Sequence, residues 1–205
     1  MTKRVLDIVL SGFGLLVLSP LLIALALAVK IESRGPVFYR GVRVGRHGKD
    51  FRIFKYRSMV INAEKVGGPS TAGDDPRVTR TGKLLRKYKF DELSQLLNVL
   101  RGDMSLVGPR PEVRHYVNMF TEEEQAILSV RPGMTDWASL WNNDEGAILR
   151  GAPDPEQAYM DLIRPRKLRL QLRYVRNPSV LTDIRILFLT LRAVVTGKSY
   201  DVEAA

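Results

Sequence analysis

Two neighbouring acids, Asp91 and Glu92, stand at the start of a segment whose spacing predicts a helix. Gly102 follows where a C-terminal cap would end that helix. The apolar positions that repeat along it are Phe90, Leu93, Leu96, Leu97 and Leu100. A helix N-terminus favours negative charge and leaves amides free, so a phosphate could lie beside both acids with a metal between the anions. The plainer interpretation is that the acids only complement the helix dipole.

A second chemical feature is the run Pro109, Arg110, Pro111. Each proline fixes its own φ angle and biases the residue before it towards extended conformations, so Arg110 projects from a stiff loop. A guanidinium held in this way suits a pair of phosphate oxygens. Alone, the run is explained as well by a simple turn.

Together with other short motifs, these two features resemble the bacterial sugar transferase family, the monotopic phosphoglycosyl transferases that start lipid-linked glycan synthesis. The resemblance covers nearly the whole chain, and the order of its motifs is highly specific. After an apolar segment interrupted by Ser19 and Pro20, the motifs are FKYRSM at 54–59, DPR at 75–77, TGK at 81–83, DE at 91–92, GDMS at 102–105, GPRP at 108–111 and RPG at 131–133.

This resemblance implies a reaction. A sugar 1-phosphate would pass from a UDP-sugar to a membrane polyprenyl phosphate such as undecaprenyl phosphate. UMP would leave, and a polyprenyl diphosphate sugar would form as the first membrane step of glycoconjugate or polysaccharide synthesis. By the same resemblance Asp91 is the nucleophile that carries a covalent phospho-sugar in a ping-pong reaction and also contacts the metal, while Glu92 supports it. An N-acetylated or related hexose is implied, but the sequence does not identify the sugar.

Neutralising the donor phosphates requires cations close to the reacting phosphorus. Arg110, between Pro109 and Pro111, is the foremost candidate. Further candidate phosphate or nucleotide contacts are Lys55, Arg57, Arg77, Arg86, Lys87 and Arg131. A strongly basic chain has many spare positive charges, so each of these could instead be an ordinary surface residue.

Composition narrows the partners. The 205 residues carry 32 Lys and Arg against 22 Asp and Glu, a net charge of +10 that predicts an anionic partner: phosphorylated substrate, acidic lipid or nucleic acid. Without cysteine, and with two isolated histidines, the chain offers oxygen ligands, so Mg²⁺ is the expected cofactor. Rival functions are a membrane-tethered nucleic-acid binder, which lacks a base-reading motif, and a non-catalytic scaffold. We expect no nucleic-acid partner; a homo-oligomer stays open.

Three positions depart from the family pattern. Ser94 stands where the family usually has proline, and Gln171 aligns near a position where many relatives carry an acid. Residues 135–141 read TDWASLW where TGLAQV is common. We expect sugar contacts around Asp136, Trp137 and Trp141, although the two tryptophans could equally be a packed aromatic pair.

The N-terminal segment predicts membrane association. Residues 8–29 carry no charge, and 22 helical residues reach about 33 Å, the thickness of a bilayer core. Pro20 near the middle favours a kink, Ser19 can satisfy a freed carbonyl, and Lys and Arg flank both ends, which keeps both ends cytoplasmic. Sequence physics leaves a spanning helix and a re-entrant hairpin open. The family resemblance implies the re-entrant hairpin, on the cytoplasmic face of the bacterial inner membrane.

The predicted fold class is α/β of the α+β kind, mostly helical. Residues 1–32 form the re-entrant membrane helix hairpin, and residues 33–205 form one small cytoplasmic catalytic domain. Within that domain we expect a short β-hairpin, with strands at 37–40 and 51–57 and a turn at 45–50, followed by a loop at 63–75. A basic helix at 165–176 and an apolar helix at 181–195 are expected to be interfacial amphipathic helices, with a solvated face as the alternative for the first.

Overall fold

The computed structural model describes residues 2–63, 74–197, 199–200 and 202. Helices dominate these residues, and three two-stranded sheets complete the fold, in agreement with the predicted mostly helical class. Residues 64–73, the greater part of the predicted 63–75 loop, lie outside the described residues. The division of the chain into residues 1–32 and 33–205 stays a prediction.

The elements have the following bounds. The α-helices are α1 (Thr2–Glu32), α2 (Arg80–Lys87), α3 (Leu96–Arg101), α4 (Arg114–Val117), α5 (Trp137–Trp141), α6 (Glu145–Ile148), α7 (Pro155–Ala158), α8 (Arg164–Arg176) and α9 (Val180–Thr196). Short 3-10 helices cover Arg46–Gly48, Phe90–Gln95 and Glu124–Ser129, and a π-helical segment covers Tyr159–Ile163. The strands are β1 (Phe38–Tyr39), β2 (Val42–Val44), β3 (Asp50–Arg52), β4 (Lys55–Tyr56), β5 (Ser105–Val107) and β6 (Gly133–Thr135).

α1 runs from Thr2 to Glu32 as one helix that contains Pro20. Because Pro20 lacks an N–H, the carbonyl of Leu16 loses its usual helical donor. The Ser19 hydroxyl donates to that carbonyl at 2.8 Å, which explains how the helix continues past the proline. The predicted hairpin is therefore not confirmed. α1 is long and apolar enough to cross a membrane, and 11% of its most apolar window is buried.

The start of α1 is bound to α3 and α9. Arg4 donates to the carbonyls of Val99 at 2.6 Å and Leu100 at 3.0 Å, near the C-terminal end of α3. Guanidinium groups are favoured there because the last carbonyls of a helix are unpaired. Lys3 pairs with the largely buried carboxylate of Asp183 in α9 at 2.6 Å. These contacts attach the first turn of α1 to the globular part of the chain.

The end of α1 is attached to the same globular part. The Tyr56 hydroxyl of β4 donates to the carbonyl of Leu22 at 2.7 Å. Glu32 accepts from the amides of Arg80 and Thr81, in the first turn of α2, at 2.8 and 3.0 Å. A carboxylate is favoured at that helix N-terminus. Both ends of a helix about 46 Å long therefore contact one globular unit.

The predicted β-hairpin is present, with a broken ladder. β1 pairs antiparallel with β4, and β2 pairs antiparallel with β3 around the predicted turn at 45–50. The strand predicted at 37–40 is shorter, and β2 at Val42–Val44 was missed, because Gly41 and the alternating Arg residues hid its pattern. β4 brings Lys55 beside the 3-10 helix that carries Asp91 and Glu92.

A third sheet pairs β5 and β6 in parallel, with Ser105 opposite Gly133 and Val107 opposite Thr135. Gly108, directly after β5, lies against Gly133. A Cβ added to Gly133 would lie 2.1 Å from the backbone nitrogen of Gly108, so only glycine permits this approach. The sheet therefore fixes where the Pro109, Arg110, Pro111 loop begins.

α8 packs its apolar face into the domain and exposes Arg169, Arg173 and Arg176, so the prediction that this face meets the membrane is wrong. Its apolar residues are buried in the core rather than turned outward: Leu168, Leu170, Leu172 and Tyr174. Periodicity could not show this, because a basic amphipathic pattern fits a helix packed under a protein surface as well as one on a membrane.

α9 confirms the helix predicted at 181–195 and has two different faces. Ile186 and Ala193 are buried in the core cluster that also contains Trp137 and Tyr174. The opposite face exposes large apolar side chains, among them Leu181, Ile184, Phe188, Leu191 and Val195. An exposed apolar stripe of this kind is typical of a surface that meets another apolar phase.

Candidate active site

Asp91 and Glu92 lie in the first turn of a 3-10 helix, Phe90–Gln95, that leads into α3. Lys89 before it adopts a left-handed conformation with φ of 57°. The single helix predicted here is thus two segments. Its buried face is mixed: Leu96 of the predicted apolar stripe is buried, Leu100 is exposed, and polar residues share the buried face. The buried polar residues are Asp91, Ser94, Gln95 and Asn98. Gly102 ends α3 with φ of 93°, which confirms the predicted cap.

Asp91 is 2% exposed, and its two carboxylate oxygens differ. Oδ2 lies 3.0 Å from the ammonium nitrogen of Lys55. Oδ1 is buried and has no hydrogen-bond partner among the described residues. A buried acceptor without a partner costs free energy, about 1–3 kcal/mol for an ordinary polar group. Oδ1 is therefore the atom at which a ligand would gain most.

Glu92 binds the two nearest cations of the site. Glu92 accepts from Lys55 at 3.2 Å. Arg110 donates to it through both terminal guanidinium nitrogens, from Nη1 to Oε2 at 2.7 Å and from Nη2 to Oε1. Burial alone would raise the pKa of Glu92, but the charges of Arg110 and Lys55 outweigh burial and hold that pKa well below its usual range. Glu92 is thus an anion that binds Arg110 and shares Lys55 with Asp91.

The loop that carries Arg110 is held by its backbone. The carbonyl of Pro109 accepts from the Gly133 amide at 2.9 Å. The amide of Arg110 donates to Oδ2 of Asp136 at 3.2 Å. The backbone of the predicted arginine loop is therefore hydrogen-bonded on both sides of the Pro109–Arg110 bond. The Arg110 guanidinium binds Glu92, the sequence neighbour of Asp91.

Comparison with known proteins shows the family of the chain. A family model described as bacterial sugar transferase matches residues 1–197. The chain belongs to the bacterial sugar transferase family. It is 40% identical over 199 residues to the UDP-N-acetylgalactosamine-undecaprenyl-phosphate N-acetylgalactosaminephosphotransferase of Aeromonas hydrophila, across 95% of this chain and 44% of that protein.

Two further relatives differ in length. The UDP-glucose:undecaprenyl-phosphate glucose-1-phosphate transferase of Escherichia coli K12 is 39% identical over 195 residues, across 92% of this chain and 39% of that protein. The uncharacterized sugar transferase EpsL of Bacillus subtilis strain 168 is 37% identical over 196 residues, across 96% of this chain and 88% of that protein. This sugar transferase chain thus spans less than half of the first two relatives and most of the third.

Two predicted phosphate contacts bind backbone carbonyls in this structure. Arg57 is 7% exposed and donates to the carbonyls of Ser33 and Arg34, at 2.8 and 3.0 Å, where the chain leaves α1. Arg131 donates through Nε to the carbonyl of Gly102 at 3.0 Å, just beyond the end of α3. These contacts give both residues a structural role, and a phosphate role for Arg57 and Arg131 stays a prediction.

The other predicted cations surround the site at different depths. Arg86 donates to the Ser58 hydroxyl at 2.9 Å; burial lowers the pKa of Arg86, and the charges of Asp91 and Asp75 oppose that shift. Arg77 forms a bidentate pair with Asp75. Lys87 is exposed at the end of α2. Of these, Arg86 is the cation whose charge interacts with Asp91.

A second buried ion pair lies behind the arginine loop, and sequence reasoning missed it. Glu112 pairs closely with Lys167 of α8 and accepts from the Tyr159 hydroxyl at 3.0 Å. Burial opposes ionisation of Glu112, but the Lys167 charge outweighs it and lowers the pKa of that carboxyl. No local signal distinguished Lys167, because it stands among other basic residues, Arg166 and Arg169.

The predicted sugar region is largely interior. Asp136 is completely buried, and Trp137 is 5% exposed in the core under Arg173 and Arg185. Trp141 is half-buried, with the Arg166 guanidinium 4.8 Å from its ring centre. Packing is therefore the role that the structure gives Trp137, and sugar contacts around Asp136, Trp137 and Trp141 stay a prediction.

Metal ligands are sparse in the described part of the chain, where no group of three or more His, Asp or Glu side chains converges. Mg²⁺ at phosphoryl-transfer sites is commonly held by one or two carboxylates together with substrate phosphates. The unpartnered Oδ1 of Asp91 fits such a site, because it supplies one anionic oxygen and leaves the remaining positions to the substrate and water.

Proposed function

We propose that this chain transfers a sugar 1-phosphate from a UDP-sugar to a polyprenyl phosphate, undecaprenyl phosphate in bacteria, at the cytoplasmic face of the inner membrane. The products are UMP and a polyprenyl diphosphate sugar. The observation that carries the proposal is the buried, unpartnered Oδ1 of Asp91, whose other oxygen pairs with Lys55. The charge of Arg86 also interacts with Asp91, and the neighbouring Glu92 binds Arg110. The activities by which the Aeromonas and Escherichia relatives are named support the same donor and acceptor classes.

The reaction proceeds in two displacements. Oδ1 of Asp91 attacks the phosphorus that bears the sugar, and the bond from that phosphorus to the bridging oxygen breaks, so UMP leaves with that oxygen. The sugar phosphate is then joined to Asp91 as an acyl phosphate. An oxygen of the polyprenyl phosphate attacks the same phosphorus, the acyl phosphate bond breaks, and the Asp91 carboxylate is restored.

The cations divide the work of charge neutralisation. Lys55 contacts both acids and places one positive charge between them, next to the phosphorus that Asp91 attacks. Arg110 can exchange one of its two contacts with Glu92 for a donor phosphate oxygen, because a planar guanidinium serves two anions at once. Mg²⁺, where bound, would be held by Asp91 and the donor phosphates and would supply further neutralisation of the leaving UMP.

A monotopic arrangement is part of the proposal. α1 could cross a bilayer by length, but its first turn contacts α3 and α9 and its last turn contacts α2, all in one globular unit. A helix that crossed the membrane would separate its ends by the bilayer, about 30 Å of hydrocarbon. We infer that α1 enters the membrane with its apolar outer face and keeps both ends cytoplasmic. The exposed apolar side chains of α9 offer a second apolar surface for the same membrane.

The reaction is tested by UMP release. Detergent-purified protein is incubated with Mg²⁺, undecaprenyl phosphate and a panel of UDP-sugars, and native chain is compared with Asp91→Asn. The isosteric amide keeps the fold but lacks the nucleophilic carboxylate, so release by the native chain alone is expected for at least one donor. Equal release by both proteins would remove Asp91 as nucleophile, and no release with any donor would remove the proposed function.

The topology is tested by cysteine labelling. The chain has no cysteine of its own, so only the introduced thiol can be labelled. Single variants Thr2→Cys and Arg34→Cys place a thiol at each end of α1, both at exposed positions. In intact cells a membrane-impermeant maleimide is expected to label neither, and after permeabilisation both. Labelling of Thr2→Cys alone in intact cells would show that α1 crosses the membrane.

A further inference from the structure

We propose that Asp136 and Gln171 are positioning residues. Their side chains hydrogen-bond the backbone amide and carbonyl of Arg110 and so fix where its guanidinium meets the donor. We call this pair of side chains the clamp. The proposal deepens the proposed function and rests on it. Asp136 and Gln171 lie on different elements, the N-cap of α5 and the middle of α8. Both side chains are completely buried.

The clamp holds both sides of one residue. The Arg110 amide donates to Oδ2 of Asp136 at 3.2 Å, and the Arg110 carbonyl accepts from Nε2 of Gln171 at 3.4 Å. The same Nε2 donates to Oδ2 of Asp136 at 3.2 Å, which joins the two side chains. Pro109 and Pro111 have no backbone N–H, so within this run of three residues the Arg110 amide is the backbone donor. The clamp adds to the hydrogen bond from the Gly133 amide to the Pro109 carbonyl.

Asp136 must be an acceptor on both oxygens. Oδ1 accepts from the amide and the hydroxyl of Ser139, each at 2.7 Å, while Oδ2 accepts from Arg110 and Gln171. An asparagine has one acceptor oxygen, so it must leave either the Ser139 amide or the Arg110 amide without an acceptor. Gln171 can rotate its amide to accept from such an asparagine, which leaves Arg110 as the group that loses its partner.

The carbonyl oxygen of the Gln171 side chain adds an independent observation. Oε1 is buried and has no partner among the residues that the structure describes. Gln171 lines a cavity of about 20 Å³, large enough for one water, which Pro109, Arg110, Pro111 and Glu112 also line. Gln171 and the arginine loop therefore line the same small buried cavity.

Asp136 and Gln171 are hydrogen-bonded to each other, so one carboxylate and one amide share this buried site.

The experiment compares four variants with the native chain: Asp136→Asn, Gln171→Glu, the double variant, and Asp154→Asn as control. Asp154 also caps a helix, accepting from the amides of Glu156 and Gln157 at the start of α7. Two quantities are measured: KM and kcat for UMP release from the active UDP-sugar, and hydrogen exchange of the peptide that contains residues 108–112. Exchange needs no turnover.

The clamp predicts that Asp136→Asn raises KM about tenfold, the factor expected for one lost hydrogen bond, and changes kcat less. Exchange at 108–112 should become faster, while Asp154→Asn changes neither. Gln171→Glu places two carboxylates in contact and should raise KM further than Asp136→Asn does. The double variant should bring KM part of the way back, because the introduced amide can donate to the introduced carboxylate. Native KM and exchange in Asp136→Asn would overturn the proposal.

The two proposals fail separately. If the native chain releases no UMP, the proposed function fails, and hydrogen exchange alone then decides whether Asp136 clamps the loop. If the native chain is active and the double variant is no better than Gln171→Glu, the pairing of the two side chains is wrong.

Discussion

Arg57→Lys separates the structural role of Arg57 from the phosphate-binding role that its sequence motif suggests. The guanidinium makes three hydrogen bonds to the segment after α1: 2.8 Å to the Ser33 carbonyl, 2.6 Å to the Ser33 hydroxyl and 3.0 Å to the Arg34 carbonyl. Lysine keeps the charge but has a single ammonium, which cannot reach both carbonyls. We expect about two bonds to be lost.

At about 1–1.5 kcal/mol each, two lost bonds destabilise the chain by about 2–3 kcal/mol. For a protein of this size that corresponds to a fall in Tm of about 4–12 °C. Thermal unfolding in detergent measures it, with Arg169→Lys, an exposed arginine of α8, as control. The KM for the UDP-sugar should stay at the native value. A raised KM at unchanged Tm would refute the structural account of Arg57.

Two further predictions concern buried groups. Glu112→Gln leaves Lys167 without its carboxylate partner. The pKa of Glu112 is lowered on folding, below its ordinary value of 4.5. The ion pair therefore stabilises the fold above pH 4.5, and this stabilisation disappears as the pH falls through the lowered pKa. The Tm difference from the native chain should therefore be large at pH 7 and shrink in acid, and a pH-independent difference would contradict this. Ser94→Ala removes a buried hydroxyl that has no partner in the described structure, so Tm should rise by about 2–6 °C; a fall would show that Ser94 is hydrogen-bonded.

The site could be predicted from sequence where chemistry and position coincide. Asp91, Glu92 and Arg110 were identified from their types and spacing, and the structure brings them together through the bidentate pair of Glu92 and Arg110. Gly102 ended α3 as expected, because a left-handed C-cap favours glycine. Lys55 was one candidate among several and proves to contact both acids.

The sequence failed where the partner of a charge lies far along the chain. Nothing local distinguishes Arg57, which pairs with carbonyls more than twenty residues away, from Lys55, which pairs with the acids. α8 failed for a related reason: its alternating basic and apolar residues suit a membrane surface, but the long side chains reach past buried leucines to partners inside the domain. Tertiary contacts decide both cases.

The sequence predicted the membrane helix but not its continuation past Pro20. The apolar run and its length indicated a membrane helix, and Ser19 was expected to satisfy a carbonyl freed by Pro20, as it does for Leu16. The same hydrogen bond lets α1 continue, which is why a break at Pro20 did not follow from the sequence. The contacts at both ends of α1 required a three-dimensional structure.

The central claim is that Asp91 is a covalent nucleophile, and omission of the acceptor tests it most directly. Native protein is mixed with the active UDP-sugar and no polyprenyl phosphate, and both released UMP and intact protein mass are followed. The two-step reaction predicts a burst of UMP up to one equivalent of enzyme, with a sugar phosphate on the peptide that contains Asp91 and none in Asp91→Asn. Release of UMP that requires the acceptor, with an unmodified protein mass, would contradict the account.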